Sequence, residues 1–268
     1  SEKKLKVLII DSNENSGGQI YRAPPKSFIK KKEKSIKENL IQIKLSEELK
    51  KNNVDTAYNH TVWQVSPGYK IDAFSDEGTI QWKTKNLIVA TGTYEKIIPF
   101  EGWTIPGVIG LAACTVMLKS HQTLPADRIV LAGNGPLLIL VAYYVVKFGG
   151  KIEAIVDTSK KSQWLKSIFS LILSPQNFIQ GITWMLKIIF SRIPIYSNSI
   201  VSKVTNDVNG ISVEIKNIKN KKFKKINTEV LAVGHGLTPS TDITRLLRVN
   251  HVYNELKGGW IAKIDKYF

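Results

Sequence analysis

Apolar and polar positions along this chain fall into blocks that name most of its elements. Leu5 to Asp11, LKVLIID, is an apolar run ending in an acid, the pattern of a buried strand, and a polar loop with Asn13, Asn15 and Gly17-Gly18 follows. Ser27 to Asn52 is strongly basic, but Ile36, Leu40, Ile43 and Leu49 give it one apolar stripe, which predicts an amphipathic helix with a lysine-coated outer face. Three alternating segments, Asp55 to Val65, Tyr69 to Phe74 and Thr79 to Lys83, predict antiparallel strands turned at Pro67-Gly68 and Glu77-Gly78. Asn86 to Gly92, NLIVATG, predicts another buried strand. Its Thr91-Gly92 end then offers small groups and free backbone where open α/β sheets bind ligands.

The most informative stretch is Arg128 to Asp157, RIVLAGNGPLLILVAYYVVKFGGKIEAIVD. A short apolar run without helical period is broken by Gly133-Asn134-Gly135-Pro136. Leu137 to Phe148 is then long and apolar enough for a buried helix, Gly149-Gly150 ends it, and Ile152 to Val156 predicts a second strand closing on Asp157. This is a βαβ unit of dinucleotide-binding type. Gly133 permits the tight turn, Gly135 lets bare backbone approach a pyrophosphate, and Pro136 suits a first helical turn whose N–H would be unpaired anyway. The helix N-terminus faces the phosphates with its partial positive charge. Asp157 can accept both hydroxyls of an adenosine ribose and would repel a 2′-phosphate, which favours NAD or another adenine nucleotide over NADP. The third glycine position of a full G-x-G-x-x-G holds Leu138. A glycine pair is also compatible with an ordinary strand-to-helix turn.

Beyond that unit, Ser162 to Ile193 predicts two apolar helical segments around Pro175, with Trp164, Trp184 and Met185 as packing residues. Ile211 to Ile215 and Val230 to Val233 predict strands, and Lys219 to Lys225 an exposed hairpin link.

At 268 residues the chain can bury a substantial core and has room for two domains. Its net charge of +16 invites a nucleic-acid reading, but the charge is mostly scattered lysine, with arginine only at Arg22, Arg128, Arg192, Arg245 and Arg248. Base readers and phosphate clamps favour arginine's planar fork, so the charge reads as a solvated surface, with no nucleic-acid partner expected. Cys114 is the single cysteine, which excludes an internal disulfide, a C-x-x-C redox pair and an all-cysteine cluster carried by this stretch alone. The histidines show neither a triad nor metal-ligand spacing; no metal site is expected and no catalytic residue is assigned. Ile168 to Phe190 is too interrupted by polar residues for a membrane span. The expected location is cytoplasmic.

Four segments in order, VLIIDSNENSGGQIYR (Val7 to Arg22), VATGTYEKIIPFEGWTIPGV (Val89 to Val108), the glycine-pair unit and VLAVGHGLTPST (Val230 to Thr241), resemble the pyridine nucleotide-disulfide oxidoreductase superfamily of two-dinucleotide flavoproteins. More narrowly, the chain resembles the FAD-dependent subunit shared by hydrogen cyanide synthase, opine oxidases and proline or hydroxyproline dehydrogenase complexes. The resemblance covers essentially the whole chain, and the ATGxYE string is its most specific part. It implies Asp11 on the FAD ribose, Gly17, Gly18 and Gln19 along the FAD, Val62 near the adenine by its backbone, and Thr91-Gly92 near the pyrophosphate. Gly133, Gly135, Pro136, Leu137 and Asp157 would take the second nucleotide, and Gly234 would mark the crossing back to the first domain. Val62 as an ordinary strand residue, Gly92 as a turn glycine and Gly234 as a strand end are the plain alternatives.

The resemblance also implies an α/β fold of two interleaved Rossmann-like dinucleotide-binding domains, with mainly parallel sheets and an antiparallel β insertion. Expected boundaries are 1–124 for the first part of an FAD-binding domain, 125–234 for an NAD-type domain and 235–268 for the return. The family's first glycine motif, its late Gly-Asp element and a cysteine-rich cluster domain are not found in this sequence, so the chain is expected to be a fragment. The implied activity is that of an FAD-dependent oxidoreductase subunit of an amine or imino-acid dehydrogenase or oxidase, working with a glycine-oxidase-like flavoprotein partner that selects the substrate. The rival readings are a stand-alone NAD(P)H-dependent flavin oxidoreductase and a non-catalytic nucleotide-binding subunit.

Overall fold

The computed structural model describes residues 5–22, 37–52, 54–160, 175–255 and 258–265. The chain divides into two compact units, Ser1–Tyr94 with Thr238–Phe268, and Glu95–Leu237. In chain order the first unit begins with β1 (Leu8–Ile10), α1 (Lys37–Lys51), β2 (Asp55–Ala57), β3 (Thr61–Ser66), β4 (Lys70–Ser75) and β5 (Gly78–Lys83), and β6 (Thr93–Glu95) carries the chain out of it. The second unit holds β7 (Val108–Gly110), α2 (Leu111–Ser120), β8 (Arg128–Gly133), α3 (Pro136–Lys147), β9 (Lys151–Asp157), α4 (Pro175–Phe190), β10 (Ile195–Ser197), β11 (Ser199–Asp207), β12 (Gly210–Asn217), β13 (Phe223–Thr228) and β14 (Val230–Gly234). The return runs through β15 (Leu237–Pro239), α5 (Asp242–Leu246), β16 (His251–Asn254) and β17 (Gly259–Ala262).

The second unit is built on a five-stranded parallel sheet of order β10-β9-β8-β14-β7. Helices α2 and α3 cover one face, and the antiparallel sheet β11-β12-β13 covers the other. A sheet covered on both faces needs strands that are apolar throughout, which is why RIVLAG and KIEAIVD read as continuous runs. Between the two sheets, Val130, Ala132, Val156 and Leu231 of the parallel sheet meet Val204, Ile211 and Val213 of the antiparallel one in one buried cluster. At the amino end of the parallel sheet, Glu229 accepts the N–H groups of Asp127 and Arg128 and the Arg128 Nε at 3.2 Å. These donors, the Arg128 backbone first, hold the carboxyl below its ordinary range.

The first unit is less regular. Strand β1 pairs with β2 in parallel, β3-β4-β5 form an antiparallel meander, and β16-β17 form a hairpin. The mixed α/β architecture, with parallel sheet and antiparallel additions, is the one expected, but several details differ. Leu5 to Asp11 contributes only Leu8–Ile10 as strand, with Leu5, Val7 and Leu8 exposed. Asp55 to Val65 splits into two strands, because residues 55–57 take β1 as a parallel neighbour and residues 58–60 turn the chain before β3. Asn86 to Gly92 is not a strand, and Ile88 is 88% exposed. An apolar run becomes a strand only when a neighbour completes its hydrogen-bond ladder, and no described strand lies beside this one.

Residues 95–124 belong to the second unit instead of the first, since β7 joins the parallel sheet beside β14. The exposed lysine link is shorter than expected, because Lys224 and Lys225 lie within β13. Helix α1 covers Lys37–Lys51 of the predicted basic helix; its earlier part and the segment 162–174 lie outside the described residues.

The contrast between packed and unpaired apolar residues can be measured. Leu131→Ala, at a fully buried site in β8, is expected to cost about 2–5 kcal/mol of unfolding free energy, while Ile88→Ser should stay within about 0.5 kcal/mol, both read from urea denaturation.

Candidate functional site

The carboxyl ends of three adjacent strands place three of the sequence-selected residues in one row. In the sheet register Gly133 of β8 pairs with Asp157 of β9 on one side and with Gly234 of β14 on the other. Asn134 N–H donates to the Gly234 carbonyl at 3.2 Å, and Thr158 N–H donates to the Gly133 carbonyl at 3.0 Å. The strands approach so closely that a Cβ on Gly133 would lie 1.8 Å from the Gly234 oxygen, and the Gly133 φ of +140° is strained for any other residue. Gly133 is therefore required by the sheet itself.

Gly135 differs in kind. It is the N-cap of α3 with φ +78°, it has no side-chain cap, and an added Cβ would meet nothing within 4 Å. Pro136 opens the helix and Leu137 follows in its first turn. A bare backbone facing open space at an uncapped helix N-terminus suits a phosphate, whose oxygens accept from the first-turn N–H groups. Leu138, at the third glycine position, is buried inside the helix–sheet layer. Asp157 is 1% exposed, and its Oδ1 accepts the Ser159 N–H at 2.8 Å. The carboxylate expected to read a ribose thus holds the turn after β9.

A residue without a role in the sequence reading organises the same edge. Gly110 caps α2 without a side chain, and the Glu95 carboxylate supplies that cap from upstream, both oxygens lying 3.1 Å from the Ala112 N–H. A Cβ on Gly110 or on Gly234 would collide with this carboxylate, at 2.0 and 2.4 Å. Gly234 is a glycine because Glu95 packs against it. Burial pushes the Glu95 carboxyl above its ordinary value, against the N–H groups of Ala112 and Leu111 that lower it. Cys114, buried in α2, is pushed up to about 12 by burial and then by the Glu95 charge. The available signal was an acid in TYEKIIP ahead of a helix that lacks its own capping side chain.

In the first unit, Asp11 at the end of β1 spends Oδ1 on the Asn13 N–H and side-chain amide, at 2.9 and 2.7 Å. Its backbone ties down residues 57–60, donating to the Ala57 carbonyl and accepting from His60 N–H. Val62 follows in β3, opposite Ala73 and beside a bulge at Trp63. Gly17 (φ +116°) is fixed by a turn, since a Cβ there would lie 2.7 Å from the Tyr21 oxygen. Gly18 faces open space, and Gln19 Nε2 donates to the Thr93 carbonyl at 3.2 Å, close to Gly92. Thr91 Oγ1 and the Gly92 carbonyl bind the Ser240 carbonyl and N–H, at 3.1 and 3.0 Å. The glycine-glycine-glutamine loop and the Thr91-Gly92 turn therefore meet through Gln19. A cavity of about 380 Å³ opens beside Asp11, lined also by Ser16, Gly17, Leu45, Glu48 and Tyr58. Among the described residues no cluster of His, Cys, Asp or Glu is arranged to hold a metal, and no helix is long and apolar enough to cross a membrane.

A family profile described as pyridine nucleotide-disulphide oxidoreductase matches residues 1–268. An opine oxidase subunit of Rhizobium meliloti (strain 1021) is 23% identical over 267 residues, covering 97% of this chain and 57% of that protein. Hydrogen cyanide synthase subunit HcnB of Pseudomonas aeruginosa is 28% identical over 178 residues, covering 63% and 38%. The chain thus spans about half the length of these curated relatives, or less. Among solved structures, L-proline dehydrogenase from P. horikoshii superposes with a TM-score of 0.61 at 12% identity, over 99% of this chain and 44% of that one. The bacillithiol disulfide reductase Bdr from Bacillus cereus gives 0.64 at 14% identity, over 97% and 78%. At such identities the solved structures share the fold.

The two glycines of the turn separate fold from ligand. Gly133→Ala is expected to cost about 4 kcal/mol or more, or to prevent folding. Gly135→Ala should cost about 1–3 kcal/mol for its extended backbone at positive φ and leave the fold intact, read by thermal melting. Glu95 gives a pH signature. With its folded-state value raised above 4.5, its contribution to stability is fully present below pH 4.5 and is lost as pH rises from there through the raised folded-state value, so the stability of Glu95→Gln relative to the parent should increase across this window. Urea midpoints at pH 4 and pH 7 check it.

Proposed function

Because this chain belongs to the pyridine nucleotide-disulphide oxidoreductase family, yet has a single cysteine that is buried with its thiol pushed up to about 12, we propose that its redox chemistry is flavin-based and serves a heteromeric amine or imino-acid dehydrogenase or oxidase. The observation that carries this reading is the alignment, over 97% of the chain, with a protein named as a subunit of an opine oxidase. A thiol held neutral inside α2 is no nucleophile, and a dithiol relay needs a second sulfur. Flavin, when bound, supplies the two-electron step.

The chain's own residues have binding and positioning roles in this proposal. Gly18 and Gly92 keep backbone bare beside the flavin path, and Gln19 fixes the loop that carries Gly17 and Gly18. Asp11 and Val62 hold the adenosine end of FAD. In the second unit Gly135, Pro136 and Leu137 present the α3 N-terminus to the pyrophosphate of NAD or another adenine nucleotide. Asp157 takes the ribose once Ser159 yields its place, and Gly133 and Gly234 set the sheet edge beneath. The proposed domains follow the expected order, FAD-binding, NAD-type and return to FAD-binding. A glycine-oxidase-like flavoprotein subunit selects the amine, and the protein described here passes its electrons onward.

The phosphate-ready N-terminus of α3 favours one second reading, a flavin oxidoreductase acting alone on NAD(P)H. Dye reduction distinguishes the two. The full-length protein alone should oxidise no amine, and co-expression with an oxidase-like partner should give turnover with glycine, proline, hydroxyproline or an opine. Amine oxidation by this protein alone at the rate of the pair overturns the division of labour; NADH oxidation alone at enzymatic rates installs the second reading. For the nucleotide, NADH or ATP should bind more tightly than NADPH, and Asp157→Ala should weaken the first two by about 1–3 kcal/mol, measured by calorimetry. Equal NADPH affinity removes Asp157 from the site.

A further inference from the structure

Two asparagine–glycine pairs stand in the sequence, Asn134-Gly135 and Asn209-Gly210. This dipeptide can cyclise without an enzyme, because glycine has no Cβ to shield its amide nitrogen from the asparagine carboxamide one residue back. Whether it does so in a folded chain depends on how firmly the two groups are held, and the structure treats the pairs differently. Gly210 opens β12 with Asp207 as its register partner, an added Cβ would collide with the Thr228 carbonyl, and the Asn209 carbonyl accepts Arg128 Nη2 at 3.4 Å. That pair is built into a hairpin.

Asn134-Gly135 is held on one side only. The Asn134 N–H donates to the Gly234 carbonyl at 3.2 Å, but among the described residues neither the Asn134 side-chain amide nor the Gly135 N–H has a hydrogen-bond partner. Gly135 is the N-cap of α3, where the helix itself supplies no acceptor for its N–H. It is exposed, an added Cβ there would meet nothing within 4 Å, and the next residue, Pro136, has no N–H to anchor the peptide. The attacking nitrogen, the carboxamide and room to rotate are therefore present together at this turn.

We propose that Asn134 is a site of spontaneous deamidation, and that the carboxylate it gains closes the α3 N-terminus to phosphate. The Gly135 nitrogen bonds to the Asn134 Cγ, the Cγ–Nδ2 bond breaks, and ammonia leaves with the proton of the Gly135 N–H. Water then opens the cyclic imide at either carbonyl, leaving an aspartate or a β-linked isoaspartate. Both products put a negative charge on a turn whose uncapped helix N-terminus otherwise offers N–H groups to an anion. The closure rests on the nucleotide reading of this turn; the deamidation stands without it.

Ageing the 268-residue chain at mildly alkaline pH tests both. Trypsin cleaves after Arg128, Lys147, Lys203 and Lys216, so the two pairs fall in separate peptides, Ile129–Lys147 and Val204–Lys216. Mass spectrometry should show Asn134 losing its amide several-fold faster than Asn209 in the folded chain, and the two at comparable rates when the chain is aged in urea. Asn134→Gln, which would have to close a larger ring, should stay amidated. By calorimetry, Asn134→Asp should bind NADH about tenfold more weakly than the fresh parent, a loss of ~1.4 kcal/mol. The aged parent should lose affinity in step with its peptide map, while aged Asn134→Gln keeps it. If Asn134 keeps its amide in the folded chain, or loses it no faster than Asn209, the deamidation site is overturned. NADH affinity unchanged by Asn134→Asp overturns the closure. A fresh parent that binds no NADH overturns the nucleotide reading and the closure with it, and the peptide map alone then decides the deamidation site.

Discussion

The second unit depends on the approach of two backbones, Gly133 on β8 and Gly234 on β14. With Asn134 N–H on the Gly234 carbonyl and no Cβ between, these strand ends lie closer than side chains allow. The Glu95 carboxylate fills the space on the far side of Gly234 and caps α2. On the near side the chain leaves β8 into a turn that delivers Gly135 and Pro136 to the start of α3. One steric constraint thus fixes two helix N-termini, those of α2 and α3, along the same sheet edge. At the opposite, amino end of the sheet Glu229 binds the Asp127 N–H and the Arg128 side chain.

The parallel core was legible because both its faces are covered. Burial on two sides forces continuous apolar runs, and glycine pairs punctuate them, so β8, α3, β9 and β14 could be read within a residue or two of their observed limits. The first unit was less legible. NLIVATG has the same composition as a core strand, but strand formation there depends on a neighbour supplied from elsewhere, which no local pattern encodes. The boundary between the units was hidden for a related reason. Residues 108–110 are too short a run to reveal that they pair with residues more than a hundred positions later.

At the candidate site the glycines and Asp157 were legible and Glu95 was not. Gly133, Asp157 and Gly234 were each selected from their own segments, and the register puts them in one row. The reason for each is more local than the sequence suggested: Gly133 answers to Gly234, Gly234 answers to Glu95, and Asp157 answers to Ser159. Glu95 escaped notice because its partner, the N-terminus of α2, becomes a neighbour only after folding. Along this edge it is Gly135 that keeps the open surroundings a ligand-facing glycine should have.

The path of the chain through the two units has a consequence for how the protein is made. Glu95–Leu237 is one uninterrupted stretch, whereas the other unit is assembled from Ser1–Tyr94 and Thr238–Phe268. During synthesis the uninterrupted unit has all its contacts available as soon as β14 and the residues just after it have emerged. The amino-terminal piece must wait for α5 and the β16-β17 hairpin, which belong to the same unit. Closing a unit across an insertion of that length is slow relative to local folding. The order of folding is therefore written into the order of segments: the inserted unit first, its host last.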